Sequence, residues 1–307
     1  IRMYLFDRDT KQSRLQMDRT FSVNKRCSLS GLYPYRDQYM LVGLCNYHCW
    51  RYLPYMFSTT NFPTFEHNAS FLLGKNKTLE RQSIEAEGCF SARKSEYAVS
   101  ESGTIHSAWV RSTQAIEPKH DETIYYSVNK DGSKWEEPVQ VYWAKDTRMF
   151  YQLSNLSLVN SGKSAFLLWQ DFREGIYFAE IDDKKTKDII KISDLAKTSD
   201  IRYEPLEFAS TIKVSSDTDG NAYTLWAEND RGVYQLFFKA RIRGKWLKET
   251  IIGTGAGYLK MPDMKVDKEG NVHITYIKPL DQKEPRGVYG CYYMKLSPSV
   301  STLPRSW

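Results

Sequence analysis

No window of this 307-residue chain approaches the roughly 18 to 20 consecutive apolar residues that cross a bilayer as a helix, so the sequence contains no helical membrane span. Charge of one sign is scarce as well. The 43 Lys+Arg are offset by 37 Asp+Glu, and the net +6 is scattered so evenly that no basic run with interleaved aromatics forms a nucleic-acid patch. No catalytic set declares itself along the chain, and no cofactor motif is present.

Cysteine is sparse and uneven. Cys27, Cys45, Cys49 and Cys89 cluster in or beside the first repeat, while Cys291 stands far away on an expected strand. That grouping suits two local disulfides plus one buried thiol, with a connectivity that spacing leaves open. Cys45, His48 and Cys49 give three metal ligands, but a closed zinc site takes four and no second Cys/His pair has suitable spacing, so no metal is expected. Sequons at Asn68 and Asn76 fall in polar connecting segments where a glycan can project, whereas the one at Asn155 opens an apolar strand and reads as a chance match. The chain opens on Ile1 and stops at Trp307, for which a removed signal segment or trimmed ends are expected. Together these features point to a secreted or extracellular glycoprotein.

What the sequence has in quantity is repetition. Gly103-Thr104-Ile105-His106-Ser107-Ala108-Trp109 returns as Gly220-Asn221-Ala222-Tyr223-Thr224-Leu225-Trp226 and as Gly270-Asn271-Val272-His273-Ile274-Thr275-Tyr276, with a looser copy from Gly162 to Trp169. Each copy is a turn glycine, a β-favouring apolar run and an aromatic ring, the pattern of a strand leaving a tight turn for a packed interior. The glycines step by 59, 58 and 50 residues. A period of that size predicts an all-β propeller of four-stranded antiparallel blades in one domain. Repeats are expected at 27–75, 95–145, 150–195, 207–253 and 258–303. Residues 1–25 supply outer strands of a closing blade, which makes five full repeats plus an N-terminal half blade and five or six blades in all. A short helix is expected near 79–86.

The stretch Asn129-Lys130-Asp131-Gly132-Ser133-Lys134-Trp135 resembles the Asp-box of the sialidase-like, neuraminidase-type repeat family, one residue shorter than the family pattern. An echo is Arg243-Gly244-Lys245-Trp246. The resemblance implies that Asp131 and Gly132 close a hairpin and that Trp135, with Trp246 in the echo, packs between neighbouring sheets. These are structural turn positions. The family's sialidases carry an arginine triad and, in the first blade, a Phe/Tyr-Arg-Ile-Pro motif, and this chain has no such motif. Tyr35-Arg36-Asp37-Gln38, its nearest string, lacks the proline.

In a propeller the turns between strands two and three, and the links between blades, emerge on one face. That face is expected to gather His48, Trp50, Arg51, His120, Asp171, Arg173, Glu174, Arg202, Tyr203, Asp230, Arg231 and Arg286 as candidate ligand contacts. Rings stack on sugar faces and guanidinium forks hold carboxylates, so an acidic glycan fits such a set. His106 and His273 occupy the same repeat position as Tyr223 and are assigned to structure. The expected function is a recognition module for a glycan or an extracellular protein, with no nucleic-acid partner, and the half-blade ends allow a larger assembly. The alternative is a carbohydrate-active enzyme, lyase or glycoside hydrolase, at the axial face.

Overall fold

The computed structural model describes residues 2–6, 13–18, 27–35, 38–47, 51–59, 89–114, 120–130, 135–147, 152–162, 164–182, 185–194, 212–230, 233–256, 260–281 and 288–297, with most side chains from Glu96 onward. Among these residues the fold is all β. A hairpin of β1 (Arg2–Phe6) and β2 (Ser13–Asp18) is followed by five antiparallel sheets in chain order. The first sheet is β3 (Cys27–Tyr35), β4 (Gln38–Tyr47) and β5 (Arg51–Thr59). The second is β6 (Cys89–Val99), β7 (Ile105–Gln114), β8 (His120–Asn129) and β9 (Val139–Thr147). In the third, β10 (Leu153–Ser161), β11 (Ser164–Asp171), β12 (Gly175–Asp182) and β13 (Lys185–Ser193) follow the same meander. The fourth has β14 (Ile212–Ser216), β15 (Ala222–Asp230) and β16 (Val233–Ile242), with β17 (Lys245–Trp246) and β18 (Thr250–Ala256) both paired to β16. The fifth is β19 (Lys260–Val266), β20 (Val272–Pro279) and β21 (Tyr289–Leu296).

The first strands of successive sheets touch in sequence, β3 to β6, β6 to β10, β10 to β14 and β14 to β19. This is the radial arrangement of a β-propeller. Its core lies between sheets. Ala108, Val110, Ile124 and Tyr126 meet Leu156, Leu158, Leu167 and Trp169 between the second and third sheets. On the opposite face of β11, Phe166 and Leu168 join Phe178, Ile212, Val214 and Trp226 between the third and fourth. Tyr223, Leu225 and Phe238 then meet Met264, Ile274 and Tyr276 between the fourth and fifth. A strand covered on both faces has no polar side, which is why residues 165–171 of β11 are buried without a break. The outer strand β13 is largely exposed and carries Lys185, Lys187 and Lys191, charges that keep an open edge from pairing with other chains.

The repeated motif forms the first turn and second strand of a sheet. Gly103, Gly162, Gly220 and Gly270 precede β7, β11, β15 and β20 with φ of 82°, 66°, 78° and 80°, a region that glycine enters without strain. Around three of them the backbone is closed identically: Gly103 N–H donates to Ser100 O, Gly220 to Asp217 O and Gly270 to Asp267 O. In the last two an aspartate completes the turn. Asp217 accepts from the backbone N–H of Asp219 and Asn221 at 3.0 and 2.9 Å, and from Tyr223 Oη at 2.8 Å. Asp267 accepts from Asn271 N at 2.7 Å and from His273 Nε2 at 2.8 Å. Asn221 and Asn271 carry the tie onward to the neighbouring end of the sheet, accepting from Arg243 N and Ser297 Oγ.

At the equivalent position the second sheet has Ser100, whose hydroxyl is spent on Thr104 N at 2.8 Å. His106 bonds through Nδ1 to Tyr126 Oη at 2.5 Å, and its buried Nε2 has no partner among the described residues. Burial pushes the His106 imidazole down to about 4. The assignment of His106 and His273 to structure agrees with these bonds.

Two elements depart from expectation. Cys291 is exposed, not buried, because it alternates onto the face of β21 opposite Tyr292 and Met294, the residues that pack into the core. The Asp-box hairpin is described only at its ends, so Asp131 and Gly132 lie outside the described residues. Trp135 is buried, and the inter-sheet packing assigned to it is seen at Trp246, edge-on to Phe178 of the adjacent sheet with centroids 5.0 Å apart. The segment 79–86 and the sequons at Asn68 and Asn76 lie outside the described residues. Asn155 sits in a bulge of β10 with its amide donating to Gln170 Oε1 at 2.7 Å, an engaged nitrogen.

Two outcomes follow. Replacing Asp217 by alanine leaves two backbone N–H groups without their acceptor and lowers stability by about 1–3 kcal/mol in a denaturant melt. An unchanged midpoint contradicts the assigned role. For His106 the folded value lies below the unfolded value of about 6.5, so the unfolded chain binds the extra proton. Stability is full above about 6.5 and falls by up to about 3 kcal/mol as the pH drops to about 4. His106→Gln flattens that slope in pH-resolved melts.

Candidate functional site

The candidate site occupies the end of the propeller where strand-two-to-three turns and inter-sheet links emerge. It is built on a ring pair repeated in every sheet whose side chains are described. Trp109 lies opposite Tyr125, Trp169 opposite Tyr177, Trp226 opposite Phe237 and Tyr276 opposite Tyr292. All four pairs stack, with centroids 5.5 to 6.0 Å apart. Such cross-strand pairs fix register and stiffen the last turn of the sheet.

Two residues beyond each ring, strand two carries a charge: Arg111, Asp171, Glu228 and Lys278. Arg111 and Lys278 lie over the strand-three rings of their own sheets, 5.7 Å from Tyr125 and 4.3 Å from Tyr292. Glu228 accepts from Trp226 Nε1 at 2.7 Å and from Ser193 Oγ of the preceding sheet.

Asp171, expected among the ligand contacts, is fully buried. Its Oδ1 accepts from Gln152 Nε2 and from the backbone N–H of Arg173, both at 2.9 Å, and from Glu174 N at 3.3 Å. Its Oδ2 accepts from Tyr142 Oη and Gln152 Nε2, both at 3.1 Å. A carboxylate with its lone pairs filled by the protein is an anchor. Burial, together with the adjacent Asp171 charge, pushes the Tyr142 phenol far above its ordinary range, so it stays a neutral donor. Beside this cluster Glu122, also fully buried, accepts from Leu153 N at 2.6 Å. Consecutive residues of one link, Gln152 and Leu153, therefore tie together two sheets through two buried carboxylates.

The consequence is a pinned turn, 172–174, on which Phe172, Arg173 and Glu174 are all exposed. No ion pair holds the Arg173 guanidinium among the described residues, so the turn satisfies itself through Asp171 and the backbone and leaves the arginine to solvent. Asp230 ends β15 and Arg51 and His120 open β5 and β8, all on this same end by topology. His48, Trp50, Arg202, Tyr203, Arg231 and Arg286 lie outside the described residues. Glu122, Tyr142 and Gln152 were missed by sequence reasoning, since isolated polar residues far apart in the chain carry no local signal of convergence. Among the described residues no group of three His, Cys, Asp or Glu is arranged to hold a metal ion.

No family model and no curated protein matches the chain. Similar folds occur among solved structures. A GH43 endo-arabinanase from Bacillus licheniformis is 13% identical, with a TM-score of 0.42 over 88% of this chain and 93% of its own. The catalytic domain of a Coprinopsis cinerea GH62 alpha-L-arabinofuranosidase is 9% identical, with a TM-score of 0.44 over 91% and 94%. An alpha-L-arabinofuranosidase from Fusarium graminearum, solved with an iminosugar inhibitor, is 9% identical, with a TM-score of 0.46 over 85% and 79%. Each of these three is described as a glycoside hydrolase acting on arabinose-containing glycans by name alone, and the likeness is one of fold.

Asp171→Ala removes the acceptor of two turn amides and of Tyr142 and costs about 2–4 kcal/mol of stability. Asp171→Asn, which keeps the shape and one oxygen, recovers part of it. Equal stability of wild type and Asp171→Ala in chemical denaturation contradicts the anchoring role.

Proposed function

We propose that this propeller is a carbohydrate-active protein that holds a glycan on the face where the turn 172–174 emerges. The observation that supports this reading is the presentation of Phe172, Arg173 and Glu174 on a turn already fixed by a buried carboxylate. An exposed ring packs on the apolar face of a sugar, while a guanidinium and a carboxylate take its hydroxyls or a uronate carboxyl. Because the turn is ordered before the ligand arrives, less conformational entropy is lost on binding.

Cleavage of the bound glycan is the second reading. It would draw on the exposed Glu174 carboxyl at that face, since glycosidases act through paired carboxyl groups, whereas the buried Asp171 serves as an anchor. The neighbouring folds supply no residue correspondence for it. Residence outside the cell belongs to the same proposal and rests on the sequons and the clustered cysteines.

The test is affinity electrophoresis and calorimetry against a panel of neutral and uronate-bearing polysaccharides, with release of reducing ends or unsaturated uronates followed in parallel. Arg173→Ala with Glu174→Ala weakens binding at least about tenfold, some 1.4 kcal/mol, with an unchanged melting temperature. Product release together with binding selects the enzyme. Binding without product leaves a recognition module. A panel on which nothing binds overturns the glycan reading.

A further inference from the structure

Next to the turn 172–174, the junction between the second and third sheets carries a row of polar groups. Tyr142 of β9 and Tyr177 of β12 are partly buried against the shared core, with ring centroids 5.3 Å apart. The Tyr142 hydroxyl is given to Asp171, so the pair presents the hydroxyl of Tyr177. Burial pushes the Tyr177 phenol up, the Lys191 ammonium pulls it down, and the result lies above the ordinary value. The phenol therefore stays neutral and is able both to donate and to accept.

Lys191 reaches this place because a side chain is missing. It stands opposite Tyr177 in the register of β12 with β13, and Gly175, two residues before Tyr177, falls on the same face. Gly175 has a φ of 137°, and a Cβ there would lie 2.1 Å from Ser193 O and 2.9 Å from Lys191 Cε. Glycine alone lets the end of β13 and the lysine stem lie this close to the turn. The ammonium pairs with Asp194 and lies in the fields of Glu174 and Tyr177.

The charges gathered here lean negative. Among the described residues, the carboxylates of Asp171, Glu174 and Asp194 stand against the cations of Arg173 and Lys191. The turn amides that would cradle an anion, those of Arg173 and Glu174, are already given to Asp171. A glycan carboxylate or sulfate entering this place meets like charge and finds those two donors spent. A neutral sugar meets what its hydroxyls require: a guanidinium, a carboxylate, a phenol and an ammonium in alternation, beside the exposed ring of Phe172.

We infer that the glycan held at this face is neutral, a sugar free of carboxylate and sulfate, and that it extends from the turn 172–174 onto the hydroxyl of Tyr177 and the ammonium of Lys191. The inference rests on the glycan reading and narrows it, and it departs from the acidic glycan expected from the sequence.

The purified full chain is titrated calorimetrically with neutral pentose and hexose oligomers and with uronate oligomers of matched length, at about 0.05 and 0.5 M salt. The neutral oligomers bind with a dissociation constant that changes by less than about twofold with salt, and the uronates bind at least about tenfold more weakly. Tighter binding of the uronates, lost as salt is added, overturns this inference and leaves the glycan reading standing. Failure of both sets to bind overturns the glycan reading and this inference with it. Tyr177→Phe keeps the ring and removes the hydroxyl, and Lys191→Met keeps the stem over Gly175 and removes the charge. Each weakens neutral binding about fivefold at an unchanged melting temperature. Wild-type affinity in both variants overturns the placement of the sugar on these two residues.

Discussion

The constraint on which the fold depends is that the second strand of each inner sheet is buried on both faces. In β11, Leu167 and Trp169 belong to one inter-sheet core and Phe166 and Leu168 to the next, so a single strand serves two interfaces. Burying a side chain of that size contributes about 1.5–3 kcal/mol, and a strand that does so on both faces concentrates the hydrophobic driving force at the centre of each sheet. Outer strands are then free to be polar, as β13 is. Turns at either end are free to vary, provided something rigid fixes where they begin.

Two devices supply that rigidity, one at each end of strand two. At the start, a glycine turn is closed by Asp217 or Asp267, with Tyr223 or His273 reaching back to the same carboxylate. At the finish, a stacked ring pair is followed by a charge. In the third sheet that charge is buried and holds the turn bearing Arg173; in the fourth it takes an indole N–H and a serine from the sheet before. Trp226 has such an acceptor in Glu228, whereas Asp171, one methylene shorter than Glu228, takes Gln152, Tyr142 and the turn amides instead. The same position thus serves inter-sheet cohesion in one repeat and the shape of an exposed turn in another.

The all-β, repeated architecture was legible in the sequence because its signal is local and recurs: Gly103, Gly162, Gly220 and Gly270 each mark a tight turn, and the apolar run and ring after them mark a strand with no polar side. The candidate site was legible only in part. Arg173 and Glu174 stand where the two-to-three turn was expected, yet Asp171, adjacent in sequence and of the same polar kind, is buried. Nothing in the order of residues separates an acid that faces solvent from one that a glutamine nineteen residues earlier and a tyrosine ten residues before that will enclose. Cys291 was misjudged for a related reason: an apolar-looking strand says that one face is buried, and the side on which a given residue falls depends on what lies beyond.

A turn more closely repeated than the one at 129–135 precedes β15 and β20. Asp217-Thr218-Asp219-Gly220-Asn221 and Asp267-Lys268-Glu269-Gly270-Asn271 share three of five residues and, in the structure, the bonds from the asparagine's backbone and side-chain amides to the aspartate. The measurement that tests the account most directly is native-state hydrogen exchange read strand by strand. If burial of strand two on both faces holds the propeller together, the amides of β11 and β15 exchange last, in one cooperative opening close to global unfolding, and those of β13 exchange well before them. Exchange of β11 at the pace of β13 would contradict it.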